Sequence, residues 1–567
     1  MKKVASALIV LLMLTSMCLF ASGSKESVST ESKGFVQNTV AGIEGWKPFE
    51  KAVTITVPVY DRSKQGYPAV DNNYWTQWIQ SQFGDKYNIN VKFVAIPRGD
   101  VMTKYSMLIA GGDTPTIMME YDYPKVAQWA NDGAMKVINL DDFKNIAPSY
   151  YQAMVEHNQL GYTDINGETY FVLSERPYYD TTYAFATFVR MDWLRAVGYD
   201  HVPTSYAEQT DAIDKMIKAG LVSNAPLGLS LPTSAYIQNF PFRSFPVSES
   251  EWAMHSSLGT PSLTWDATKN FIKRYNTEYN KGWYSSEFDL DADGSSGNSS
   301  TQWKSDFVNG KIYSYGGYIG TNMDWLTAFY ENNPKAELAL QDNYFIVEKG
   351  VVDQPTMRAD NPFGMIVGFS SNATDDQLKA AWMYMEWMSQ SDVLFTMENG
   401  IEGVTYTLDS EGLPKMINTE GKGVKEMLNH NNNIDMTCII HASKKFGTIE
   451  DTIASMSPTG LPVDFTQALI NNYYQLKEIS NNGWAYSDPT FAVAIESESE
   501  YSATLLRLYQ QAFSQLVKCK PAEFDALYAK LSKEFLAAGY QKVIDERLAA
   551  YNAGNTTKLP QNIEKIK

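Results

Sequence analysis

Hydrophobic and polar positions sort the first third of the chain into two alternating kinds of element. Val53, Ile55, Val57 and Val59 alternate with threonine and proline and run out at Tyr60-Asp61, the pattern of a half-buried strand. Asp71-Asn72-Asn73-Tyr74-Trp75 then leads into a helical spacing through Trp78, Ile79 and Phe83. Ile89 to Ile96 alternate again, and Pro97-Arg98-Gly99-Asp100 opens a helix ending at Leu108, Ile109 and Ala110. Gly111-Gly112 can take the left-handed conformation that closes a helix, and Asp113-Thr114-Pro115 is turn chemistry. Thr116 to Glu120 is a short apolar run that predicts a buried strand, followed at once by Tyr121, Asp122 and Tyr123. Strand–helix–strand–helix–strand predicts a doubly wound α/β opening with a mostly parallel sheet. Ligands of such sheets lie beyond the carboxyl ends of the strands, which puts Tyr121 to Tyr123 at a cleft wall.

The pattern continues downstream. A helix from Val126 carries Trp129, and Asn166-Gly167 between alternating residues is a hairpin signal. Ala186 to Val189 predicts a strand. Thr204 or Ser205 can cap the next helix, with Glu208 completing a capping box. Gly364 to Phe369 predicts another strand and Asp375 to Met388 a packed helix. Phe524, Leu527, Leu531 and Phe535 form a helical stripe, and a second helix follows Ala538-Gly539-Tyr540. Trp193 and Trp382 fall on helical apolar faces and read as core; Arg190 reads as a structural partner of Asp192.

The first residues change the picture. Lys2 and Lys3 precede an apolar run from Val4 to Phe20 and the small residues Ala21-Ser22-Gly23, the pattern of a secretory signal peptide spanning 1–23. Cys18 adds lipid attachment as a second reading of the same segment. Residues 24–49 are polar and aperiodic and read as a flexible tether. The 567 residues exceed one ordinary domain, and a net charge of −18 argues against nucleic acid as a partner. Of the three cysteines, Cys438 and Cys519 lie beyond the leader. An exported chain can pair them, and neither sits in a Cys-x-x-Cys metal motif.

The Tyr105 to Tyr123 stretch resembles the helix–Gly–Asp–Thr/Leu–Pro–strand signature of extracellular solute-binding proteins that serve carbohydrate ABC transporters. Arg190-Met191-Asp192-Trp193-Leu194 with Gly198 and Pro203 to Glu208 resembles a second block of that family, and Phe307 to Tyr318 a third. Asn399-Gly400-Ile401-Glu402-Gly403-Val404-Thr405-Tyr406 resembles the Gly-Ile-Glu-Gly-Val-x-Tyr motif of its LplA-type lipoproteins, a group of oligosaccharide binders with an alginate-binding relative. The resemblance implies a type II periplasmic-binding-protein fold, with two doubly wound α/β lobes, a cleft and a hinge. Residues 50–185 would form mainly the first lobe and 186–365 mainly the second, while 366–567 would complete both with C-terminal helices. It also implies an exported, cell-envelope or periplasmic monomer that passes an oligosaccharide to a membrane permease.

Sugar recognition needs flat apolar faces and planar polar groups. With 35 Tyr, 26 Phe and 13 Trp, many beside carboxylates, the chain offers both. The candidate ligand residues are Tyr60, Asp61, Trp75, Tyr121, Asp122, Tyr179, Asp180, Tyr315, Tyr318, Trp325 and Glu402. Asp289, Asp291, Asp293 and Ser295 repeat the first half of a calcium loop, whose closing position is Ser300 in place of the usual glutamate. No cofactor is otherwise expected. Walker, His-Glu-x-x-His and Gly-x-Ser-x-Gly signatures are absent from the sequence, so no enzyme is expected. The rival reading is a secreted carbohydrate-active hydrolase or lyase, which needs only two suitably spaced carboxylates.

Overall fold

The computed structural model describes residues 42–557 apart from 64–67, 157–159, 161–163, 176–184, 223–224, 233–248, 258–259, 291–300, 319–323, 342–356, 359–362, 418–434, 439–447, 457–462, 483–484 and 487. The expected leader with Cys18, and the candidates Tyr179, Asp180, Asp291, Asp293 and Ser295, lie outside the described residues.

The Val53–Asp61 strand pairs in parallel with the Ile89–Pro97 strand, Val53 opposite Ile89 through to Asp61 opposite Pro97. Between them, Asn73 caps the Tyr74–Ile79 helix by accepting from the amides of Trp75 and Thr76. The Val101–Gly111 helix closes on Gly112, whose φ of 73° permits the paired bonds Gly112 N–H to Ile109 O and Asp113 N–H to Leu108 O. The Ile117–Glu120 strand follows. Thr56 and Thr116 join its start to the first strand, each amide donating to the other's hydroxyl oxygen at 3.1 and 2.7 Å.

The sheet departs from the mostly parallel expectation at this point. The Phe363–Phe369 strand, arriving from far along the chain, lies between Ile117–Glu120 and Phe171–Glu175 and runs antiparallel to both. A short apolar run does not encode its own direction, so sequence periodicity could not reveal this.

One hydrophobic core gathers residues from Val53 to Leu173, then Met365 to Ile401 with Met436 and Cys438. The Asp375–Met388 helix supplies much of it: Trp382 stacks on Phe143 at 4.3 Å, and Trp387 packs on Trp78 and Phe83. Residues 42–49, the end of the stretch read as a tether, belong to this body too. Trp46 meets Tyr87 edge-on, and the Tyr87 hydroxyl accepts the Ile43 amide at 2.8 Å.

Further cores form from other segments. The Phe185–Arg190 strand sits between Ser314–Tyr318 and Leu338–Leu340, antiparallel to each. Arg190 grips Asp192 through both arms of its guanidinium, and Trp193 is buried, as the sequence suggested. The Asp266–Asn280 helix packs on the long Glu496–Lys518 helix and on Phe524–Phe535. Gly539, at φ 122°, turns the chain into the Gln541–Asn552 helix. Cys438 and Cys519 are free thiols in different cores, so the disulfide considered from sequence does not form. No helix among the described residues is long and apolar enough to cross a membrane.

Candidate ligand site

The carboxyl ends of the first three strands converge on one aromatic and charged cluster. Tyr60 ends the buried part of the first strand, Arg98 follows the second, and Glu120 and Tyr121 end the third. The Tyr60 and Tyr121 rings lie 5.8 Å apart. The Arg98 guanidinium sits 4.8 Å from the Tyr60 ring and 5.6 Å from that of Tyr121, within cation–π range of both. Its side chain is 33 % exposed and stands 4.0 Å from Glu120, an electrostatic contact and not a hydrogen bond.

Asp435 holds the other side. It takes both arms of Arg62, at 2.6 and 3.3 Å, together with the Tyr121 hydroxyl at 3.0 Å and the Tyr60 amide at 3.3 Å. The Tyr60 hydroxyl rests against the Glu120 carboxylate and the Met119 carbonyl. Burial, then the neighbouring carboxylates, push both phenols well above their ordinary pKa, so they stay protonated donors. Asp122 caps the Tyr123–Asn131 helix through the Lys125 amide; burial raises its carboxyl to about 7.

Tyr121 also opens onto a crevice. Tyr121, Tyr123 and Ala127 form one wall, and Asp488, Phe491, Glu498 and Arg547 the other. The two sides are tied by Tyr123 to the Phe491 carbonyl at 3.2 Å, Lys125 to Ser502 at 2.7 Å, and the Asn166 amide to Ala492 O at 2.9 Å. Asn166-Gly167 therefore makes the expected hairpin, with both residues at positive φ, and its tip is a contact.

Several sequence candidates stand elsewhere. Trp75 is 3 % exposed and packs on Trp78, because the Asn73 cap fixes it on the core side of its helix. Tyr315 and Trp325 are buried against Phe307 and each other, filling a core instead of a cleft wall. Glu402 is exposed and bridged to Tyr406 in a tight turn. Asp61 accepts the Ser63 amide, local turn chemistry. Tyr318 pairs with Phe185 through its backbone. Asp289 is engaged by Lys518 and Ser514, both at 2.6 Å, so a cation there would have to displace a lysine. No cluster of metal-ligating side chains occurs among the described residues.

Sequence reading missed Arg62, Arg98, Glu120 and Asp435, and in the crevice Asp488, Glu498 and Arg547. Arg98 and Glu120 carried a usable signal, since both stand at predicted strand ends. Asp435 and Arg547 carried none, because only long-range packing brings them here.

Solved structures share the architecture. An alginate-binding protein, AlgQ2, determined without calcium ion, superposes with a TM-score of 0.60 at 15 % identity, covering 90 % of this chain and 100 % of that one. An extracellular solute-binding protein from Bifidobacterium longum subsp. infantis gives 0.59 at 14 % identity, with 91 % and 100 % covered. The Streptococcus pneumoniae ABC-transporter substrate-binding protein FusA, in complex with kestose, gives 0.53 at 12 % identity, with 88 % and 99 % covered. At such identities these likenesses establish the fold, that of type II periplasmic binding proteins. No curated protein sequence matches the chain. The sequence profile of one family matches residues 69–393, more than half of the chain, and places this protein in the bacterial extracellular solute-binding protein family.

Proposed function

We propose that this protein is the substrate-binding component of an ABC importer, that it captures an oligosaccharide beside the Tyr60–Arg98–Tyr121 cluster, and that it delivers the ligand intact to a membrane permease. One observation carries the reading. The part-buried Tyr121 ring and the part-exposed Arg98 guanidinium lie together at the strand ends, backed by the fully buried Tyr60 ring, and Tyr121 continues into the crevice faced by Asp488, Phe491, Glu498 and Arg547. Rings offer flat faces to pyranose rings, and a guanidinium bridges neighbouring hydroxyls. The sugars named for the similar structures, alginate and kestose, point to the same class. The leader pattern supports export to the cell envelope, with Cys18 as the residue for a lipid anchor.

The protein breaks no bond in this reading; binding energy closes the lobes. The experiment is a thermal-shift screen of the mature chain against neutral, amino and acidic oligosaccharides, with and without calcium. A raised melting temperature with one sugar class, and that sugar recovered unshortened, is the expected result. Shortened products would transfer the assignment to a hydrolase or lyase. A shift with calcium alone would make the Asp289 loop a metal site.

A further inference from the structure

Glu498 is 2 % exposed and lines the crevice opposite Tyr121. One carboxylate oxygen is fully engaged, accepting from the Ser257 hydroxyl at 2.5 Å and from Arg547 at 3.0 Å. The other, Oε2, is buried with no hydrogen-bond partner among the described residues. A buried carboxyl oxygen left without a donor is costly, and a donor arriving from the crevice would satisfy it.

The charge around it favours the same kind of guest. Among the described residues Arg547 is the one cation lining the crevice, and each of its nitrogens is already engaged: Nε on Ala253 O at 2.9 Å, Nη1 on Glu498, Nη2 on Ser256 O. Asp488, also on the wall and buried, accepts the Ser256 hydroxyl. Two carboxylates face one occupied guanidinium, while Tyr121 and Phe491 present ring surface. Lys125, just outside, is bonded to Ser502.

Building on the binding role proposed above, we infer that Glu498 receives a hydrogen-bond-donating group of the ligand, a sugar hydroxyl or amine, and that the crevice selects against a carboxylate at that position. A uronate there would meet two carboxylates, while the one guanidinium among the described lining residues is already paired with Glu498. Arg98, at the strand-end cluster, is the separate place where an acceptor on the ligand can be met.

The test uses the mature full-length protein, titrated calorimetrically with neutral and amino-sugar oligomers (maltotriose, cellotriose, chitosan trimer) and with trigalacturonate. Wild type is expected to bind a neutral or amino sugar at least about ten-fold tighter than the uronate. Glu498→Gln is expected to shrink that ratio about ten-fold, since an amide keeps the size but not the charge. If Glu498→Gln does not fold, the wild-type ratio still decides. Tighter binding of trigalacturonate, or a Gln variant with unchanged selectivity, overturns the inference and leaves the sugar-binding role standing. Failure of every sugar to bind removes both.

Discussion

The Tyr121 hydroxyl donates to Asp435 at 3.0 Å across 314 positions of sequence. The same carboxylate clamps Arg62 and the Tyr60 amide. One residue from a distant segment therefore sets the position of the Tyr60–Tyr121 pair at the strand ends.

Removing that clamp is expected to be expensive. Asp435→Ala removes the carboxylate that pairs with a largely buried Arg62, and a loss of about 3 kcal/mol of stability follows. Urea denaturation measures it, and a change below about 1 kcal/mol would show that Arg62 relaxes into water at little cost.

Arg98 separates stability from binding. Its contact with Glu120 is long and part-exposed, so Arg98→Ala is expected to shift stability by less than about 1 kcal/mol. Sugar affinity is expected to drop about ten-fold or more, through loss of a charged donor fixed over two rings. Equal affinity in both proteins would move the ligand away from the strand ends.

Asp122 gives a pH dependence of defined sign. Its folded pKa of about 7 lies above the ordinary value of 3.8, so between those pH values the native state keeps a proton that the unfolded chain has released. Its contribution is fully present below about pH 4 and is lost as pH rises through 7. Asp122→Asn, which can still cap the helix, is expected to flatten this part of the stability profile. Denaturation midpoints at pH 4.5, 6 and 7.5 for both proteins provide the comparison.

Trp75 distinguishes core from cleft. Trp75→Ala is expected to cost about 3–5 kcal/mol of stability while sugar affinity of the folded protein stays within about two-fold. A selective loss of affinity with stability intact would return Trp75 to the ligand wall.

Gly539 tests the C-terminal turn. A Cβ there would lie 2.4 Å from the Tyr501 ring, at a φ of 122° that side chains avoid. Gly539→Ala is expected to destabilise by about 2 kcal/mol or more, read from the thermal midpoint. A neutral result would mean that Tyr501, on the surface of its helix, swings aside and the backbone adjusts.

Local chemistry by itself determined much of this protein. Alternation specified the first two strands, and glycine at 112 and Asn166-Gly167 specified a helix end and a hairpin, because such choices depend on neighbours a few residues away. The apolar faces of Asp375 to Met388 specified a buried helix for the same reason. Tyr121 and Asp122 were legible as lying just past a strand's carboxyl end, because the apolar run before them marks the strand. Aromatic content alone misled for Trp75, Tyr315 and Trp325: a ring fits a core as well as a cleft, and its direction is set by the element that carries it. The tertiary structure alone decided the antiparallel insertion of Phe363–Phe369 and the arrival of Asp435 at Arg62. It also decided the meeting of Glu498 and Arg547 opposite Tyr121. Those pairings join residues dozens to hundreds of positions apart, and no local period or spacing carries the packing energy that selects them.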